Sequence, residues 1–145
     1  MLGISRQTDY ATRLVLHLAC LEPGAQVAIA EIARLRLLPV PFVRRLVGLL
    51  VKVGVLNSTR GAGGGVRLAR LPSEISLLDV VQAIEGPIAL NQCVGDEQFC
   101  VLSETCPGHG AWTSATQMLV QHLASVRFDT LADGPEGHRA AHAAV

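Results

Sequence analysis

Along the chain, apolar and polar positions first fall into a helical stripe. Between Thr8 and Leu21, Ala11, Leu14, Val15, Leu18 and Ala19 recur at helical spacing, which predicts an amphipathic helix whose apolar face needs a partner. Glu22-Pro23-Gly24 reads as a turn, and Ile29, Ile32, Ala33 and Arg34 to Leu37 as a short second helix. A break follows at Leu38-Pro39-Val40-Pro41. Pro41 suits a first helical turn, after which Val43, Leu46, Val47, Leu50 and Val53 share one face. The opposite face carries Arg44, Gly48 and Lys52 at four-residue spacing, with Arg45 beside them. Short helix, tight break and second helix with a basic outer face make the pattern of a helix-turn-helix.

Gly54 should end that helix, with Val55 to Thr59 as a strand and Val66-Arg67-Leu68 as its return. The hairpin tip between them, Arg60-Gly61-Ala62-Gly63-Gly64-Gly65, is flexible and flanked by positive charge, which is the layout of a winged helix. A phosphate-binding P-loop is discounted, because no Gly-Lys-Ser/Thr ending and no following helix are present to hold a phosphate. Ser76 can cap a helix running from Leu77 through Ile84 to a stop at Gly86-Pro87. A loop of about 20 residues follows, long enough in so small a chain to be functional or disordered. Beyond it Trp112, Ala115, Leu119, Leu123 and Val126 form a second long stripe, suited to packing on its own domain or on a symmetry mate.

The expected fold is therefore mainly α: a winged helix-turn-helix with a small β-hairpin wing and a long C-terminal dimerisation helix. Residues 1–72 are expected to form the DNA-binding domain, 73–133 the cysteine loop and dimerisation helices, and 134–145 a flexible tail without periodicity. At 145 residues there is no room for two large domains, and with half the residues apolar and aromatics scarce, the core must be Leu, Val, Ile and Ala.

Charge sharpens this picture. The formal net charge is zero, yet residues 1–70 hold ten basic side chains against three acids, a net +7, whereas residues 71–145 hold two against nine, a net −7. A basic N-terminal half can release counterions from a phosphate backbone, and the acidic half has another task. Chance clustering on solvated faces is the alternative. Arg6, Asp9 and Arg13 interrupt any early apolar run, and no segment reads as a membrane span, so the expected location is cytoplasmic.

Four cysteines in a reducing compartment read as metal ligands, redox thiols or core residues before disulfides. Cys20, near the end of the first helix, reads as a small buried hydrophobe. Cys93, Cys100 and Cys106 share the long loop and run into Pro107-Gly108-His109. Three thiolates on one mobile segment can converge on a soft or borderline metal. Zinc would take His109 as a fourth ligand, and an iron-sulfur cluster would use the same set. A thiol redox pair and ordinary loop cysteines remain the alternatives.

Together these residues resemble the IscR/NsrR/RirA family of iron-sulfur transcriptional regulators. The likeness rests on Thr8-Asp9-Tyr10-Ala11, Ile32-Ala33, Gly54-Val55-Leu56, the run from Arg60 to Ala69, Ile75 to Val81, and the cysteine loop running into Trp112. The resemblance implies a homodimer with crossed C-terminal helices that offers two winged helices to a palindromic operator in double-stranded DNA. It implies that Cys93, Cys100 and Cys106 hold a 2Fe-2S or 4Fe-4S cluster. His109 or Asp9 from the partner subunit's first helix would complete it. Arg44, Arg45 and Lys52 would approach the major groove, while Arg60 and Arg67, flanking Gly63 and Gly64 at the wing tip, would meet phosphate or the minor groove.

The expectation is a cluster-controlled regulator, read as a repressor, without enzymatic activity, small-molecule substrate or membrane partner. A metal-free thiol switch on DNA, and a small iron-sulfur or zinc protein without DNA function, are the rival readings. Two features depart from the family pattern. The turn before the recognition helix is rich in proline, and that helix has few amide or hydroxyl side chains for reading bases.

Overall fold

The computed structural model describes residues 3–96 and 98–134, so the tail expected from 134 onward lies outside the described residues except for Gly134. Helix α1, Arg6–Ala19, starts two residues earlier than its apolar stripe, because the Ser5 side chain accepts a hydrogen bond from the Thr8 amide and caps it. Its buried face contains Ala11, Leu14, Val15 and Leu18 as the spacing predicts, together with Thr8 and His17.

Helix α2, Ile29–Leu35, and helix α3, Val40–Lys52, form the helix-turn-helix. Leu37 in the turn adopts φ +52° and is 92% exposed, a left-handed conformation that side chains rarely take. Pro41 occupies the first turn of α3, and Val43, Leu46, Val47 and Leu50 are buried at 0 to 3% exposure. Gly54, at φ +73°, ends the helix by turning the chain back.

Strands β1, Leu56–Thr59, and β2, Gly65–Leu68, pair antiparallel, with Leu56 opposite Leu68 and Thr59 opposite Gly65. Val27, which no apolar pattern marks as a strand residue, also pairs with β2. Its amide donates to the Val66 carbonyl at 3.0 Å and its carbonyl accepts from the Val66 amide at 2.8 Å. The wing is thereby tied, one residue from the tip end of β2, to the segment before α2.

A single 3-10 turn, Pro72–Glu74, leads to helix α4, Leu77–Glu85, whose Ser76–Asp79 capping box satisfies the first amides. The cysteine segment is more ordered than a bare loop. It contains the short helix α5, Gln92–Gly95, and helix α6 begins at Pro107 with Cys106 as its N-cap, five residues before the predicted stripe. Helix α6 runs to Ser125, and Thr116 is its buried residue, leaving Trp112 43% and Met118 68% exposed.

Helix α7, Phe128–Asp133, has no counterpart among the predicted elements. It is placed by backbone pairing of Ile75–Leu77 with Val126–Phe128, and it sinks the fully buried Phe128 into the core. Ile75, Val80 and Phe128 thus join the same hydrophobic cluster as α1 and α3.

Candidate nucleic-acid interface and cysteine segment

Because α3 buries its apolar stripe, its other face is free. Arg44, Arg45, Gly48 and Lys52 are all exposed. The wing rises beside them, and Arg44, Gly48, Ser58, Thr59, Arg60 and Gly61 line one open groove between helix and hairpin. Arg44 and Arg60 are therefore brought together, while Arg45, Lys52 and Arg67 are exposed on the same elements outside that groove.

The glycines at the tip have separate causes. Gly61 and Gly63 take φ +96° and +76°. A Cβ on Gly64 would stand 2.3 Å from the Thr59 carbonyl oxygen, and one on Gly65 would stand 2.5 Å from that of Val27. The tip is compact backbone, which lets a flanking arginine come close to another molecule without side chains in the way.

Not every positive charge of the N-terminal half is spent outward. Arg70 donates from Nε to the Gly54 carbonyl at 3.1 Å and from Nη1 to the Glu74 carbonyl at 3.0 Å, and its Nη2 lies 3.7 Å from Asp79. Arg13 pairs with Asp9 along the exposed side of α1 at 3.0 Å. Arg36, the half-buried C-cap of α2, has its pKa pushed down by burial and then by Arg13. His17 faces it from α1, 6% exposed, with a buried Nδ1 that has no hydrogen-bond partner. Burial first, and the Arg36 charge second, lower the His17 pKa against the opposing pull of Glu31.

Among the described residues none of the four cysteines is in a disulfide. Cys93 on α5 and Cys100 are half-buried, and Cys106 is exposed. Cys20 is half-buried at the C-cap of α1, with its thiol pKa raised chiefly by burial. Ser103 donates its amide and its hydroxyl to the Cys100 carbonyl, and the His109 amide donates to the Cys106 carbonyl, so local turns shape this segment. Leu90 is tied to α6 through Thr116 Oγ1 at 3.2 Å.

Among the described residues, no three His, Cys, Asp or Glu side chains gather closely enough to hold a metal ion, and Asp9 is engaged with Arg13. The donor chemistry nonetheless fits a soft metal centre. Three thiols are available, and the His109 Nδ1 is buried without a hydrogen-bond partner.

The model of the Rrf2 family, iron-dependent transcriptional regulators, matches residues 4–134. The chain belongs to the Rrf2 family. Protein aau3 of Rhizobium meliloti is 32% identical over 130 residues, covering 88% of this chain and 83% of that protein. Among solved structures, the fold is similar to that of CymR, the global cysteine regulator of B. subtilis. The TM-score is 0.74 at 27% identity, over 91% of this chain and 97% of CymR. It is also similar to T. potens IscR, with a TM-score of 0.68 at 27% identity, over 93% of this chain and 90% of IscR. This Rrf2 protein is accordingly a winged-helix transcriptional regulator and not an enzyme, in a family of DNA-binding regulators that are generally dimeric. Among its described residues no helix is long and apolar enough to cross a membrane.

Proposed function

We propose that this Rrf2 protein is a dimeric repressor that binds a palindromic operator and whose affinity is set by an iron-sulfur cluster on Cys93, Cys100 and Cys106. The observation that carries the DNA half of this reading is the groove shared by Arg44 and Arg60 between α3 and the wing. Residues 1–72 read the operator, with Arg44, Arg45 and Lys52 toward the major groove and Arg60 and Arg67 toward phosphate or the minor groove. Residues 73–133 hold the sensor and pair the subunits, in keeping with the exposed Trp112 and Met118 on α6.

When bound, the cluster supplies a thiolate-held iron centre open to changes in iron supply, oxidants or nitric oxide. His109 is the ligand this chain offers from its own segment, and Asp9 is the one a partner subunit offers, once freed from Arg13. Cys93 on α5 and Cys106 at the start of α6 would both hold the cluster and so would link these two elements. Helix α4 packs on α6 and also on α1 and α3, so a change at the cluster would have a packed path to the recognition helix.

A second reading is favoured by the likeness to CymR: the same thiols, free and partly exposed, act as a metal-free redox switch. Anaerobic purification followed by visible absorption and iron and sulfide analysis separates the two. A coloured protein with iron and sulfide supports the cluster. A colourless, iron-free protein overturns it and leaves the thiol switch.

A further inference from the structure

The wing tip has almost no side chains of its own with which to hold its shape. From Gly61 to Gly65 only Ala62 carries a Cβ, and the bond that closes the turn runs from the Gly64 amide to the Gly61 carbonyl at 2.9 Å. Such a tip must be fixed from outside, or else lose conformational entropy whenever DNA fixes it. Gln26 is placed to do this. The backbone pairing of Val27 with Val66 sets Gln26 alongside the hairpin, and its Nε2 donates to the Gly63 carbonyl at 2.8 Å. Its stem lies close as well: a Cβ on Gly65 would stand 3.0 Å from Gln26 Cγ. The segment before α2 therefore grips the wing twice, once by backbone at Val66 and once by a side chain at the tip itself.

We infer that Gln26 is a positioning residue for DNA binding, which fixes the wing tip so that Arg60 is held over the groove it shares with Arg44. The inference rests on the reading that the wing meets DNA. Its chemistry is specific, because the acceptor is a backbone carbonyl and the contact needs a donor at the end of a stem of this length. Asparagine is one methylene too short, and methionine keeps the stem but has no donor.

The test compares wild type, Gln26→Met, Arg60→Ala and the double variant, as the purified full chain on a DNA duplex. In the free protein, Gln26→Met is expected to speed amide exchange at Gly64 and to lower the melting temperature by no more than a few degrees. On DNA it is expected to weaken binding about fivefold, the equivalent of one neutral hydrogen bond of ~1 kcal/mol. That loss should shrink toward none when Arg60 is already alanine, since Gln26 acts through the wing. Unchanged Gly64 exchange, or a Gln26→Met loss that stays the same in the Arg60→Ala background, overturns the inference. If Arg60→Ala itself leaves DNA affinity unchanged, the wing reading fails and the positioning role fails with it, an outcome distinct from the other two.

Discussion

Arg44 of α3 and Arg60 of the wing line the same open groove, although they come from different elements and are separated by sixteen positions in the chain. Two guanidinium groups facing one groove form a site for a polyanion, whose binding releases counterions. Arg44→Ala and Arg60→Ala are each expected to weaken binding to bulk DNA. Each should also lower the slope of log affinity against log salt by about 0.9, the share of one phosphate contact. Binding titrations over a range of salt concentrations check this, and an unchanged slope for Arg60→Ala removes the wing from the interface.

Arg70 belongs to the same basic half but is engaged by its own chain, where it joins Gly54, Glu74 and Asp79. Arg70→Ala should therefore act on stability and leave the salt slope of DNA binding unaltered. Loss of two charge-assisted bonds to carbonyls on a partly exposed side chain is expected to cost about 1–2 kcal/mol. Urea denaturation measures the cost.

Gly63 and Gly64 are neighbours with different constraints. Gly63→Ala meets open space but must hold φ +76°, which costs about 1–2 kcal/mol. Gly64→Ala drives a Cβ to 2.3 Å from the Thr59 carbonyl and 2.8 Å from that of Gly61, all backbone, so the hairpin itself has to move. DNA binding should fall further for Gly64→Ala than for Gly63→Ala, and thermal melting should follow the same order.

His17 makes stability depend on pH. Its folded-state pKa is lowered by burial and by Arg36, so the unfolded chain, titrating near about 6.5, takes up a proton first as pH falls. The stabilisation is complete above about 6.5 and is lost as pH drops from there through the folded-state value. Glu85, whose pKa is lowered by hydrogen bonds from Ser5 and Thr8, also loses its contribution on acidification, but only below the ordinary carboxylate value of about 4.3. Melting temperatures taken between about pH 5 and 7.5 should fall toward the acid end for wild type and stay flatter for His17→Leu.

The winged helix was legible because its cues are local. The α1 stripe, Pro41 in the first turn of α3, Gly54 at its end, and the glycine tip each act within a few residues. What escaped the pattern is held by distant contacts. Val27 pairs with Val66 through backbone groups common to every residue, and α7 is six residues placed by Phe128 and by pairing with Ile75–Leu77. Neither leaves a periodicity to read.

Charge shows the same limit. Arg70, Arg13 and Arg44 count alike in a sequence, and the structure spends the first two on Asp79 and Asp9. The cysteine segment was legible as three thiols beside His109, but the start of α6 at Pro107, with Cys106 as its cap, depends on packing against α4 and α5.

If the thiols control DNA binding, loss of the cluster must change affinity. DNA affinity is determined on a single anaerobic preparation before and after the cluster is destroyed, with the visible spectrum recorded at each point, and repeated for Cys100→Ala. Under cluster control, absorption and DNA affinity are expected to change together, and Cys100→Ala to be colourless and fixed at the affinity of the cluster-free protein. Affinity that stays constant while the absorption disappears would contradict it.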